Sequence, residues 1–379
     1  MKILQFSDSH LGFIQYGNTQ RLKDFASVLD QIFEIAVASN VDVVVDAGDT
    51  FNSPSPDPYS IAAMRRFVSR LEKFQIGFAG IIGNHNRHEI QSRIPEVSWF
   101  DAVGDSIIRP GRPESPLTIL SRKDDDDEMS VVLADWMPSS EITEFLSKIP
   151  YQVDALFMHQ SCSEFLPDIS RPEIDIVQLD GIARYVGIGD VHVTKTVVTP
   201  QGTVVGSSGS TEMNKRDEES SKYVFIVEID TRDRQKQAKV DRIKLNTRPV
   251  VTFPSINAAE QIPLMLQRVR SEMQNLSLTP MVVVAYNRMF RPEMEAAEKI
   301  LREDGVQIVN FIPESSIATE EEMQEITTAG SLEMTAIISE SEDLKDDPEA
   351  MELAQVLWSA PHNSKHILEQ FRNKTTNED

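Results

Sequence analysis

Ile3-Leu4-Gln5-Phe6-Ser7-Asp8-Ser9-His10 is a short, mostly apolar run that ends in a carboxylate and an imidazole two positions apart. The same pattern recurs four times. Val41–Val45 leads into Gly48-Asp49-Thr50-Phe51, and Phe78–Ile82 into Gly83-Asn84-His85-Asn86. Ala155–Met158 leads into His159, and Tyr185–Ile188 into Gly189-Asp190-Val191-His192. Near-continuous apolar runs of this length predict strands in sheets covered on both faces. In open α/β sheets, ligands bind beyond the carboxyl ends of strands. Each cluster alone has a plainer account. Asp-x-His suits a capped turn, Gly-Asp is a common turn, and a single His159 suits a satisfied core histidine. Five clusters in this order, each at a strand end, predict one shared site.

The clusters offer carboxylate, amide and imidazole ligands and no thiolate. That set suits a hard or borderline dication such as Mn²⁺ and argues against a structural zinc site. The candidate ligands are Asp8, His10, Asp49, Asn84, His159, Asp190 and His192. Seven ligands favour two ions over one, with a carboxylate shared between them. Such a pair activates water and stabilises both oxygens of an in-line displacement at phosphorus.

The 379 residues suffice for one large domain with smaller additions. No apolar run reaches the roughly 18 residues of a membrane helix. The first residues turn polar too early for a signal peptide. Cys162 is the only cysteine, which excludes an internal disulfide and fits a reducing cytoplasm. A net charge of −23 weighs against a non-specific nucleic-acid coat protein, which is usually basic. The charge is uneven: residues 314–379 hold 16 Asp and Glu against 4 Lys and Arg.

Arg21–Ser39 and Pro58–Phe74 have helical periodicity. In the second, Ile61, Met64, Val68 and Leu71 form an apolar stripe read first as core packing. Tyr223–Ile229 reads as a further strand, followed by a polar stretch, Asp230–Lys239. A strand, helix, strand, helix, strand pattern then runs over Pro249–Phe253, Ala258–Gln274, Met281–Tyr286, Pro292–Glu303 and Val306–Phe311. The expected domains are therefore 1–245 and a small α/β domain at 246–313. An acidic linker at 314–347 and a helical hairpin at 348–374 follow. A hairpin beyond a linker has little core of its own, so it reads as a docking element.

The five boxes in this order resemble the calcineurin-like metallophosphoesterase superfamily, and within it the SbcD-type family of meiotic-recombination DNA-repair nucleases. Gly206-Ser207-Ser208-Gly209-Ser210-Thr211-Glu212 and the strand Tyr223–Ile229 resemble that family's Gly-Ser turn and closing strand. The resemblance implies an α/β (α+β) fold: a four-layer β-sandwich flanked by helices, with a small capping domain and a C-terminal hairpin. It implies that Asp8, His10, Asp49 and His192 hold one ion. Asp49, Asn84, His159 and Asp190 hold the other, with Asp49 bridging and His85 facing the scissile phosphate. The implied cofactor is two Mn²⁺, with Mg²⁺ as the alternative. The implied partners are DNA, an SbcC-type coiled-coil ABC ATPase docked on 348–374, and a second copy through helix 58–74, with no membrane. The implied location is the cytoplasm, on the nucleoid or, for a viral gene, in the host.

The chain departs from the family at three positions. Asp190 stands where a histidine is usual, Asn52 where relatives often have a histidine near substrate, and Asn86 where an aspartate usually orients the catalytic histidine. Asn52, Asn86, Lys215 and Arg216 are the weaker substrate-contact candidates. The expected activity is a Mn²⁺-dependent nuclease, exonuclease on duplex and endonuclease on single strands. The alternatives are a DNA-end-binding scaffold with weakened catalysis and a small-molecule phosphodiesterase on the same metal boxes.

Overall fold

The computed structural model describes residues 1–86, 100, 103–104, 106–111, 116–121, 127–150, 152–166, 172–215, 218–274, 276 and 278–314. The expected linker and hairpin, but for Glu314, lie outside these residues. So do Arg216, the side chain of Asn86 and most of the acidic run 123–128.

The first sheet is built on three parallel strands, β1 (Lys2–Phe6), β2 (Val43–Asp46) and β3 (Gly77–Gly80). The second contains β4 (Leu117–Ser121), β5 (Glu128–Ala134), β6 (Val153–His159), β7 (Ala183–Gly189), β8 (Lys195–Val198) and β9 (Val204–Ser207), in the order β4-β5-β6-β7-β9-β8. Its four central strands are parallel and both edge strands antiparallel. The chain then returns to the first sheet. β10 (Tyr223–Glu228) and β11 (Lys239–Lys244) complete the order β11-β10-β1-β2-β3. A separate three-stranded sheet joins β12 (Val250–Ile256), β13 (Met281–Asn287) and β14 (Ile308–Glu314).

Period-two alternation builds the layers. Leu4, Phe6 and Val44 face a core shared with helices α1 (Thr19–Ala38) and α2 (Pro58–Lys73). Their neighbours Ile3, Val43 and Val45 face the opposite way, into a core shared with Val131, Leu133, Phe157 and Tyr185 of the second sheet. Val132, Leu156, Met158 and Val186 pack outward against Ile142 and Leu146 of α3 (Ser139–Ser147). The result is four layers, helix, sheet, sheet and helix, as the family resemblance implied. Helices α4 (Gln261–Met273) and α5 (Arg291–Glu303) accompany the third sheet.

A polar tie crosses the inter-sheet core. Gln5 is fully buried on β1; its Oε1 accepts from Tyr185 Oη, and its Nε2 donates to the Gly206 carbonyl at 3.3 Å. A buried amide left unpaired would cost on the order of 1–3 kcal/mol, so this tie specifies how the two sheets align.

The α2 stripe faces inward. Met64 and Leu71 are fully buried, Val68 nearly so, and Ile61 packs on the same core. The apolar stripe is thus committed to the core, and pairing of two copies through α2 would have to use the opposite face, with Tyr59, Arg65 and Arg66. No helix among the described residues is long and apolar enough to cross a membrane.

Candidate functional site

All five clusters reach the carboxyl ends of parallel strands. Asp8 and His10 follow β1, Asp49 follows β2, and Asn84 and His85 form a 3₁₀ turn after β3. His159 is the last residue of β6, and Asp190 and His192 follow β7. Because β1–β3 and β6–β7 lie in different sheets, the site forms where the two sheets meet.

The geometry centres on Asp49. Its Oδ2 lies 3.4 Å from His159 Nε2 and 4.0 Å from His10 Nε2. His10 Nε2 is 3.3 Å from His192 Nε2, which is 3.7 Å from Asp8 Oδ1. Asp8 Oδ1 also accepts the Asp190 amide at 3.1 Å. Asp190 Oδ1 stands 3.9 Å from His159 Nε2, with its side chain 23% exposed. Three groups have donor atoms all within 4.8 Å of one another: Asp8, His10 and His192; Asp8, Asp49 and His159; and His10, Asp49 and His85. His85 is exposed, sets its ring edge-on to His10 at 5.1 Å, and donates its amide to Asp49 Oδ1 at 3.0 Å. The Asn84 side chain is also exposed, and its Oδ1 takes the same amide.

The backbone is bent to bring these groups together. Asp8, His10, Asp49 and Asp190 all have φ between +40° and +73°, half of the eight non-glycine residues in that state among those described. Left-handed backbone costs about 1–2 kcal/mol for an L-residue and clusters at functional sites. Two glycines make room. A Cβ on Gly48 would lie 2.4 Å from His159 Nδ1, and one on Gly83 would lie 2.1 Å from Asp49 Oδ1. The space for Asp49 therefore comes from Gly83, across the sheet, while Gly48 makes room for His159.

Burial sets the protonation states of the metal-free site. It pushes His10 down to about 3, so that imidazole is neutral. Burial also opposes charge on His159, but Asp49, Asp8 and Asp190 outweigh it and raise His159 to about 10. Burial raises the Asp46 carboxyl to about 8, against hydrogen bonds from Thr50 Oγ1 and the Gly48 amide. Asp8 Oδ2 and His159 Nε2 are buried without a hydrogen-bond partner. Buried polar atoms rarely go unpaired in native proteins. Two such atoms, in a donor set of carboxylates and imidazoles, fit hard divalent cations.

Among the weaker candidates, Asn52 is half-buried and its amide donates to Leu11 O at 3.0 Å, close in the chain to Asp49. Lys215 is exposed, three positions before Glu218. Sequence reasoning missed two residues. His159 Nδ1 stands 2.8 Å from the Ala47 carbonyl, and His192 Nδ1 stands 2.6 Å from Glu218 Oε1. Burial opposes charge on Glu218, but His192 and Lys222 hold its carboxyl down at about 2. Glu218 lies in no strand-end motif, and only its spacing of four from Lys222 was visible in the chain.

Residues 1–193, just over half of the chain, match the family described as calcineurin-like phosphoesterase. The chain belongs to the calcineurin-like phosphoesterase family. Three curated relatives share the description "DNA double-strand break repair protein Mre11". One from Methanosarcina mazei is 27% identical over 238 residues, covering 60% of this chain and 36% of its own length. One from Saccharolobus solfataricus is 24% identical over 231 residues, covering 58% and 56%. One from Haloferax volcanii is 25% identical over 294 residues, covering 75% and 60%. This calcineurin-like phosphoesterase thus spans between a third and three fifths of these relatives' lengths. As a member of the family it is a metal-dependent phosphoester hydrolase, and the matched segment ends one residue past His192.

Proposed function

We propose that this chain is a DNA nuclease of the double-strand-break repair type, using two divalent ions, Mn²⁺ in preference to Mg²⁺. The observation that carries this is the place of Asp49, whose carboxylate faces His10 and His159 where the two sheets meet. Asp8, His10, Asp49 and His192 would hold one ion, and Asp49, Asn84, His159 and Asp190 the other. Two ions there would supply activation of water and neutralisation of charge at phosphorus. His10, neutral through burial, offers a lone pair without first losing a proton. His85 is exposed beside the cluster and anchored through its backbone to Asp49, which leaves its ring to steady the phosphate and protonate the leaving oxygen. The names of the relatives support DNA as substrate. The resemblance supports exonuclease action on duplex ends and endonuclease action on single strands. It also supports a DNA-contacting cap at 246–313, a coiled-coil ATPase on 348–374, and a homodimer. Lys215 and Arg216 would meet the phosphate backbone, with Asn52 and Asn86 nearer the cleavage point.

The deciding experiment is Mn²⁺-dependent digestion of end-labelled duplex DNA by the wild type and His85→Ala. The expected result is a loss of about 10²–10⁴ in rate with both ions still bound, the range for a removed general acid. Full activity in His85→Ala would remove its role. A Mn²⁺-loaded wild type that cuts no DNA, with or without its ATPase, would end the nuclease reading.

Mn²⁺ affinity should depend on pH with a definite sign. Metal binds neutral imidazole, and His159 in the metal-free protein keeps its proton up to about pH 10. Binding must expel that proton, so affinity rises about tenfold per pH unit from neutrality toward pH 9. Calorimetry in buffers of different ionisation enthalpy should show about one proton released; no release would contradict His159 as a ligand.

A further inference from the structure

We infer that Glu218 is the positioning residue for His192, and that the same carboxylate fixes the turn carrying Lys215. The inference rests on the reading of His192 as a metal ligand.

Glu218 is surrounded by donors. Its Oε1 lies 2.6 Å from His192 Nδ1 and accepts the Lys215 amide at 3.1 Å. Its Oε2 accepts from Lys222 Nζ at 2.7 Å, the Asn214 amide at 3.0 Å and Ser210 Oγ at 3.2 Å. A carboxylate receiving four other donors is an acceptor only, so His192 Nδ1 must be the donor of the fifth bond. In the neutral ring the lone pair then lies on Nε2, and Nε2 is the atom that faces Asp8 Oδ1 and His10 Nε2. A carboxylate behind a metal-binding histidine holds the ring in place and makes it a stronger ligand. The buried Lys222 supplies the counter-charge, and its Nζ also donates to Ser210 Oγ at 2.8 Å, which closes the cluster.

The second half follows from the two amides. Asn214 and Lys215 present consecutive N–H groups to Glu218, and the Asn214 carbonyl accepts from Gln15 Nε2 at 2.8 Å. The turn is thereby held from both sides, with Lys215 projecting into solvent. One side chain sets the aim of an inner ligand and of an outer cation. No motif pointed to Glu218, because its partners come from residues 192, 210, 214, 215 and 222 and meet only in the fold.

The test is calorimetric Mn²⁺ titration of the full chain as wild type, Glu218→Gln, His192→Gln and the double variant, with the unfolding temperature of each metal-free protein. Glu218→Gln keeps size but offers one oxygen and an NH₂ that opposes the donors around it. The expected result is a loss of about 10–100-fold in affinity for one of two ions. His192→Gln should lose the same ion, and adding Glu218→Gln to it should change Mn²⁺ binding no further, since the two act as a unit. Wild-type binding in Glu218→Gln overturns the inference, and so does an additive loss in the double variant. Should Glu218→Gln fail to fold, Glu218→Asp keeps the charge beside Lys222 but is too short to reach His192, and the same loss is expected; normal binding there overturns it. A wild type that binds no Mn²⁺ fails one step earlier, on the metal reading, and takes this inference with it.

Discussion

Asp49→Asn is expected to fold and to bind metal poorly, with turnover lower by about 10³-fold or more. Asp49 Oδ2 faces both His10 and His159, at 4.0 and 3.4 Å. The amide keeps an oxygen for the His85 N–H but turns an NH₂, which cannot ligate, toward the imidazoles. Loss of charge stabilisation by the ions is worth several kcal/mol, and each 1.36 kcal/mol is tenfold in rate, which gives about 10³–10⁴. Hydrolysis of bis-(p-nitrophenyl) phosphate with excess Mn²⁺ measures it without DNA binding. Turnover within tenfold of wild type would show that the ions do not share this carboxylate.

Arg21→Met is expected to have the largest effect on stability. Arg21 is fully buried in α1. Its Nε donates to Gln15 Oε1 at 2.9 Å, and its terminal nitrogens to Asp24 Oδ2, Glu212 Oε2 and the Met213 carbonyl at 3.1, 2.7 and 3.0 Å. Glu212 is 1% exposed, and among the described residues Arg21 is the cation paired with it. Removing one partner of such a buried pair costs about 3–5 kcal/mol, because the other charge stays buried. Against a total of about 5–15 kcal/mol this is a large share, and the unfolding temperature should drop by about 10 °C. Adding Glu212→Gln should recover part of the loss. A drop under about 2 °C would mean that the cluster is not the anchor its geometry suggests. Asp24 also takes Arg248, whose other end donates to the Thr279 carbonyl just before β13, so the loss should be felt in the third sheet too.

The strands that hold the site were legible because a parallel strand buried on both faces is apolar along most of its length. The first and third boxes announced themselves as abrupt ends to such runs at Phe6 and Ile82. The four-layer order was implied by the resemblance, and the alternation of Ile3 with Leu4 and of Val43 with Val44 accounts for it. Edge elements were not legible. β11 alternates charged and half-buried residues, Lys239 to Lys244, and resembles the polar loop before it. β8 is four residues long with exposed Lys195 and Thr196. α3, at nine residues, has too few turns for a clear apolar period. Within the site, the side chains that converge were readable from local motifs. The partners that aim them were not. Ala47 acts on His159 through its carbonyl, which no sequence displays, and Glu218 reaches His192 from 26 positions away.

The division of the cluster between two sheets has a consequence for how the protein comes to exist. Synthesis delivers Asp8, His10, Asp49, Asn84 and His85 with the first three strands, yet His159 arrives 74 residues after His85, and Asp190 and His192 more than a hundred after it. Until the second sheet docks, with Gln5 meeting Tyr185 at the seam, the nascent chain holds half a cage. With the ligand set proposed above, capture of a metal pair would be a late event in maturation, open only to a chain whose two sheets have already closed on each other.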